Sequence, residues 1–291
     1  MYHLIKKYKL TAVHLMVIVL GITGILGKLI SLNTIYLVWY RMGLAFLGLA
    51  IFLFIKGKLF NVSKNNFFGI LAVGALVTFH WLCFFESIKV STVSIAVVCL
   101  STSSLFSALI EPFFFKRKLL LYEVIMGVVV ILALAFVMGA ESKYIWGYIY
   151  GIISALLGTL FTLYNAKYIK KVDAANITMI EMLSGVIIIS IILLLKNDFI
   201  IFHTLISLND FYYLVILSIL CTAMVFVWMT EIMKYISPYS LIMAINLEPI
   251  YSIILALIIF GNNELMSVSF YIGSSIIVGV VFLEGYIKNK Q

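Results

Sequence analysis

Four side chains able to do chemistry stand inside stretches that are otherwise almost wholly apolar: Arg41, His80, Glu181 and Glu248. Arg41, in VWYRMGLAF, is a permanent cation with a planar fork of N–H donors, suited to a carboxylate or a phosphate. In the middle of a membrane helix it costs roughly 2.5–3.5 kcal/mol on insertion scales, so it must face an interior or a partner. Two readings stand for it, a structural ion pair or an anchor for an anionic substrate group. Glu181 lies at the equivalent place in the second half, at an offset of 140. The two can pair with each other or bind opposite ends of a zwitterion, and periodicity does not choose. Glu248, just before Pro249 and near Asn246, is a carboxylate that can exchange protons from a cavity, or else serve a structural role. His80, followed by Trp81, carries an imidazole whose ordinary titration lies near neutral pH. A packed, hydrogen-bonded histidine is the commoner case; proton coupling is the sharper one.

Further polar groups cluster in Ser101-Thr102-Ser103-Ser104 and in Tyr164-Asn165, the latter lining a cavity or sitting at an interface. Glu86 with Lys89, and Glu231 with Lys234, read as (i, i+3) pairs at helix ends. Cys83, Cys99 and Cys221 fall inside apolar segments with no paired spacing, as small packed side chains do. Nothing resembles a phosphate-binding loop, a nucleophile elbow or a set of metal ligands, so no cofactor and no metal are expected.

The elements that must position these residues are membrane helices. Of 291 residues 64% are hydrophobic and 11% charged, and the mean hydropathy is +1.19. A soluble domain needs more polar surface than that. About 20 apolar residues cross a bilayer core, and ten such segments fit, near 11–30, 32–55, 67–86, 93–113, 119–138, 147–166, 176–195, 211–231, 238–259 and 265–286. The net charge of +8 does not point to nucleic acid, because the basic residues gather in short loops on alternate sides. With both termini cytoplasmic, fifteen Lys and Arg fall inside, against Lys28, Lys89, Lys143 and Lys196 outside. That bias orients a multi-pass protein of the cell inner membrane. Helix one follows a basic start without a small-residue cleavage site, so it reads as retained.

An offset of 145 lays Phe85-Glu86-Ser87-Ile88-Lys89 over Thr230-Glu231-Ile232-Met233-Lys234, and Leu105-Phe106-Ser107 over Ile250-Tyr251-Ser252. Five helices per half is an odd number, so the second half runs inverted. The expected fold is an all-α integral membrane protein of ten transmembrane helices in two inverted-topology five-helix repeats. Residues 1–140 and 147–291 are the halves of one transmembrane domain, and 196–210 is read as a short amphipathic interfacial segment. Gly21, Gly24 and Gly27, and the pair Gly147 and Gly151, read as close-packing positions. Pro249, mid-span, should break or loosen its helix and act as a hinge. Ser104 stands at the matching place in the first half.

The segment SIKVSTVSIAVVCLSTSSLFSALIEPFFF (87–115) resembles the fourth-helix region of the EamA family in the drug/metabolite transporter superfamily. MKYISPYSLIMAINLEPIYSIILALIIFGNNE (233–264) resembles that family's second-half version, and Arg41 matches its second-helix arginine. Two departures are visible: Ser103-Ser104 stands where many members carry proline, and the Gly-Glu pair is interrupted as Gly261-Asn262-Asn263-Glu264. The resemblance implies a central cavity lined by helices one to four and six to nine. Helices five and ten would lie outside it, available for a homodimer, and members typically export amino acids and other small metabolites.

The expectation is a secondary active exporter of amino acids or similar small polar, zwitterionic metabolites, working by alternating access in the lipid bilayer. Arg41 would anchor an anionic group, and Glu181, Glu248 and His80 would set polarity or proton coupling. Trp81, Ser101, Ser103, Ser104, Tyr164 and Asn246 would shape the pocket. The alternatives are a membrane-embedded group-transfer enzyme acting on a lipid-linked substrate, using His80 and Glu86, and a channel. The short loops supply no clustered catalytic groups for the first.

Overall fold

Five of the connecting segments end on a residue that caps the helix it feeds. Asn33, Thr92, Asp173, Ser207 and Ser237 accept, through their side chains, a backbone N–H of the first turn that follows. Such caps matter in lipid, where an unpaired backbone donor finds no water. The protein is described by a computed structural model over residues 9–116, 118–196 and 206–289. Its helices are α1 (Lys9–Leu29), α2 (Thr34–Ile55), α3 (Lys64–Val90), α4 (Val93–Leu100 and Ser103–Phe115) and α5 (Leu121–Ala140). The second half supplies α6 (Ile145–Tyr168), α7 (Ala174–Leu195), α8 (Leu208–Ile232), α9 (Pro238–Ile245 and Glu248–Phe260) and α10 (Val268–Asn289). Eight are long and apolar enough to cross a membrane, and α1 and α10 carry the shorter apolar runs Val13–Leu29 and Val268–Val280. The ten-helix, two-half architecture expected above is the one found. Residues 197–205 of the expected interfacial segment, and Lys6, Lys7, Arg117 and Lys290 of the basic groups, lie outside the described residues.

Two apolar clusters hold the bundle. The larger joins α1–α4 with α6–α9. The smaller ties α5 and α10 to the outside of α4 and α6 through Ile95, Val98, Val137, Tyr148, Phe270 and Ile277. Helix α1 enters the middle on its glycine row. A Cβ at Gly21, Gly24 or Gly27 would press on Tyr251 of α9, Val93 of α4 or Phe85 of α3 respectively. The Ser252 hydroxyl donates to the Gly21 carbonyl at 3.1 Å. Gly147 and Gly151 likewise bring α6 against Ser91 and Cys99.

Both α4 and α9 are interrupted, at Ser101-Thr102 and at Asn246-Leu247, positions 145 apart. All four residues keep helical φ but relax ψ to between −20° and −1°. In α9 the cause is Pro249, which cannot donate to the preceding turn. In α4 hydroxyls do the corresponding work: Thr102 Oγ1 donates to the Cys99 carbonyl at 2.7 Å and Ser104 Oγ to the Ser101 carbonyl at 3.0 Å. The hydroxyls thus reinforce tight i→i+3 backbone bonds to the same carbonyls, from Thr102 N at 3.0 Å and Ser104 N at 3.4 Å.

Helix α8 carries a third irregularity, a π turn over Ile219–Met224. There Thr222 Oγ1 donates to the Leu217 carbonyl at 2.7 Å.

Candidate functional site

A cavity of about 80 Å³ lies between the two halves, lined by α1, α2, α3, α4, α6, α8 and α9. Helix α7, expected among its walls, contributes no lining residue. It packs instead behind α2 and α3, where a Cβ at Gly74 would strike the Glu181 backbone. Five of the sequence candidates line the cavity: Arg41, His80, Trp81, Ser103 and Glu248.

Arg41 is only 1% exposed. Its Nε donates to Thr222 Oγ1 at 2.7 Å, so the π turn of α8 orients the guanidinium. The Trp81 ring lies 3.8 Å from Cζ and the Phe85 ring 5.2 Å, supplying cation–π contact. Nη1 is buried with no hydrogen-bond partner. Glu248, 5% exposed at the start of the second piece of α9, faces the same cavity. Among the described residues no ion pair joins it to Arg41. A guanidinium and a carboxyl group therefore share one small chamber without a direct ion pair.

His80 is fixed through Nδ1, which meets the Ser154 carbonyl at 2.8 Å and Ser154 Oγ at 2.9 Å. A carbonyl only accepts, so Nδ1 carries the proton. Gly158 leaves the imidazole its place: a Cβ there would sit 3.2 Å from Nδ1. Phe84 stacks on the ring and Phe161 meets it edge-on. Ser103 Oγ donates to the Ala155 carbonyl at 3.3 Å, tying the broken α4 to α6.

The remaining candidates stand elsewhere. Glu181 is fully buried against α6, its Oε1 accepting from Asn165 Nδ2 at 2.8 Å. It does not pair with Arg41. Ser101 and Pro249 face a groove beside α10, outside the cavity. Ser104 bonds its own helix. Tyr164 is 38% exposed, edge-on to Phe114. Asn246 is buried at the break, its Nδ2 without a partner. Cavity residues not singled out from the sequence include Thr23, Thr159, Thr162, Phe161, Phe226 and Met229.

The helix-end pairs split. Lys234 does pair with Glu231, at 2.7 Å. Glu86 and Lys89 do not pair, because each finds a nearer partner in the α1–α2 turn: Glu86 accepts from Thr34 Oγ1, and Lys89 donates to the Ile30 carbonyl. Nor are His80 and Glu86 brought together as a catalytic pair would require. At that same end, remote from the basic loops, Glu264 is fully buried and accepts four hydrogen bonds. They come from Lys28 Nζ at 2.6 Å, Val93 N at 3.0 Å, Ser94 N at 3.1 Å and Ser94 Oγ at 2.9 Å. Despite its interrupted Gly-Glu motif, this stretch delivers a carboxylate to the N-terminus of α4, where the helix dipole favours it.

A family model described as "EamA-like transporter family" matches residues 7–139 and again 145–284. Among curated proteins the chain is similar to "Uncharacterized transporter YxxF" of Bacillus subtilis (strain 168). The identity is 26% over 268 residues, 88% of this chain and 84% of that one. A solved crystal structure shares the fold, with a TM-score of 0.68 at 14% identity over 93% of this chain and 95% of its own.

Proposed function

The chain belongs to the EamA-like transporter family, two copies of whose domain fill it, and within that family we propose that it exports amino acids or similar small zwitterionic metabolites. One observation carries the substrate class. A buried guanidinium with an unpartnered Nη1 shares a cavity with the unpaired carboxylate of Glu248. A zwitterion supplies the missing partner for each: its carboxylate to Arg41, its ammonium to Glu248. Trp81, Phe84, Phe161 and Phe226 then offer apolar wall to a side chain.

Alternating access fits the same geometry. At about 80 Å³ the cavity is smaller than the roughly 150 Å³ apolar void that takes benzene. Loading it requires the halves, residues 1–140 and 147–291, to part. The breaks in α4 and α9 are where helices can bend without unpairing backbone groups in lipid. On this reading the termini and basic loops are cytoplasmic in an inner membrane, and the peripheral α5 and α10 leave a face for a homodimer.

The test uses purified full-length protein in liposomes with a panel of labelled amino acids. Hydrogen bonds to a charged group contribute about 1.5–3 kcal/mol, so Arg41→Ala should raise KM roughly tenfold to a hundredfold. Arg41→Lys should recover only part of this, since an ammonium lacks the planar fork. Arg41→Ala protein that inserts and transports at the normal rate removes the anchoring role.

A further inference from the structure

Glu181 and Asn165 form a polar pair outside the cavity, and the pair is one proton short. Both residues are fully buried, on α7 and α6. Asn165 Nδ2 donates to Glu181 Oε1 at 2.8 Å. That leaves Glu181 Oε2 and Asn165 Oδ1, both buried and both without a partner. A carboxylate and an amide oxygen are acceptors only, so these two atoms cannot satisfy each other. One proton on Oε2 changes that: the acid O–H donates to Oδ1 while Nδ2 continues to donate to Oε1. Acid and amide then close a ring of two hydrogen bonds in which both orphaned oxygens have a partner.

The surroundings agree. A fully buried carboxylate held by one neutral amide, with no cation beside it, carries a desolvation cost of several kcal/mol. The charged groups on the helices around α7 include Arg41 on α2, Lys64, His80, Glu86 and Lys89 on α3, Asp210 and Glu231 on α8 and Lys167 on α6; the hydrogen bond that reaches Glu181 comes from Asn165 and from none of these. A metal ion is a poor alternative occupant, because hard cations gather six or more oxygens. Here the unpartnered oxygens are Oε2, Oδ1 and, one turn away on α7, Thr178 Oγ1.

We propose that Glu181, paired with Asn165, is the proton-binding site of this transporter, separate from the substrate cavity. The inference rests on the transport reading for its purpose but not for the proton itself. Asn165 lies one turn from the end of α6, beside the basic loop that carries Lys170 and Lys171, giving protons a short way in. Two close approaches join the pair to the substrate anchor. The Glu181 backbone packs on Gly74 of α3, and Met42, next to Arg41, fills the space over Gly185, one turn beyond Glu181. Losing the proton leaves a bare buried charge, which favours separation of α7 from α3 so that water can enter. Protonation closes the contact again.

Difference infrared spectroscopy of the full-length protein in bilayers, titrated with acid in potassium chloride, reads the proton directly. The expected result is a buried-carboxyl C=O band present at neutral pH and absent in Glu181→Gln. In Asn165→Ala the band should persist but shift, because its acceptor is gone. A band unchanged in Glu181→Gln overturns the assignment, and a band bleached by replacing potassium with sodium shows a metal-ion site instead. In liposomes, Glu181→Gln should keep exchange of the amino acid identified above but lose accumulation driven by a pH gradient. Retained gradient-driven accumulation reduces Glu181 to a structural role. If no amino acid is moved at all, the substrate reading fails while the infrared result still decides the proton site.

Discussion

Arg41 is steered by two neighbours of different chemistry, and they do different work. Thr222 takes one donor in a directed bond at 2.7 Å, while the Trp81 face, 3.8 Å away, offsets charge without fixing orientation. Thr222 can do this because it sits in the π turn, donating to Leu217 while accepting from Nε. Thr222→Val keeps the shape and removes the acceptor. A buried donor left unsatisfied costs about 1–3 kcal/mol, so the variant should melt at lower temperature and show a raised KM. Thr222→Ser restores the acceptor and should recover both. Equal behaviour of Val and Ser variants would mean that the bond does not position the guanidinium. The rare charges were legible in the sequence because each one is expensive in an apolar background and has to be explained. Threonines were not. Thr159 and Thr162 donate to carbonyls of their own helix, at 3.0 and 2.8 Å, so a hydroxyl is cheap on any helix face and its presence says little about a cavity.

At the scale of elements, two broken helices at matched positions do the same job with different chemistry. Pro249 breaks α9 by lacking a donor; α4 reaches the same geometry with serine and threonine hydroxyls. Ser104 is the residue in register with Pro249, and its own backbone N–H makes only a long bond to Ser101, 3.4 Å. Ser104→Pro should therefore be tolerated, with transport close to normal and little change in melting temperature. Ala108→Pro, one turn further into a regular stretch of α4, should cost about 3 kcal/mol or more and impair insertion. Loss of fold in both variants alike would refute the equivalence of the two breaks. Helix number, order and bounds were readable because a bilayer fixes the length of every apolar run. The rotation of α7 was not, since the helix is apolar nearly all round and no stripe marks its inner face. Glu181 and Asn165 were for that reason each visible as polar residues in apolar helices, while their pairing, and its place behind the cavity, were not.

For the whole molecule, charged ties join the two halves at the end remote from the basic loops. Lys28 of α1 binds Glu264 beyond α9, and Ser31 donates its N–H, at 2.8 Å, and its hydroxyl to Asp210 at the start of α8. At the opposite end, among the described residues, the ion pair is local to α8, Lys234 with Glu231. There too the halves touch through a neutral bond, from Asn176 Nδ2 to the Lys58 carbonyl at 3.1 Å. On the alternating-access reading the halves must trade one set of ties for another, and Lys28–Glu264 and Ser31–Asp210 are the set that would hold the end remote from the basic loops closed. Glu264 is the keystone of that seal, since its carboxylate joins α1 and the N-terminus of α4 to the second half. Glu264→Ala leaves Lys28 and two first-turn N–H groups of α4 without their acceptor, so the halves should part more readily at this end. Thr23, in the cavity wall on α1, gives the readout as Thr23→Cys in a background with Cys83, Cys99 and Cys221 replaced by serine. A membrane-impermeant thiol reagent applied from the end remote from the basic loops should label it several times faster with Glu264→Ala than without. Applied from the other end, labelling should slow, because a population shifted toward one opening is withdrawn from the other. Faster labelling from both ends would show general loosening, and unchanged rates would show that the seal is held by apolar packing rather than by Glu264.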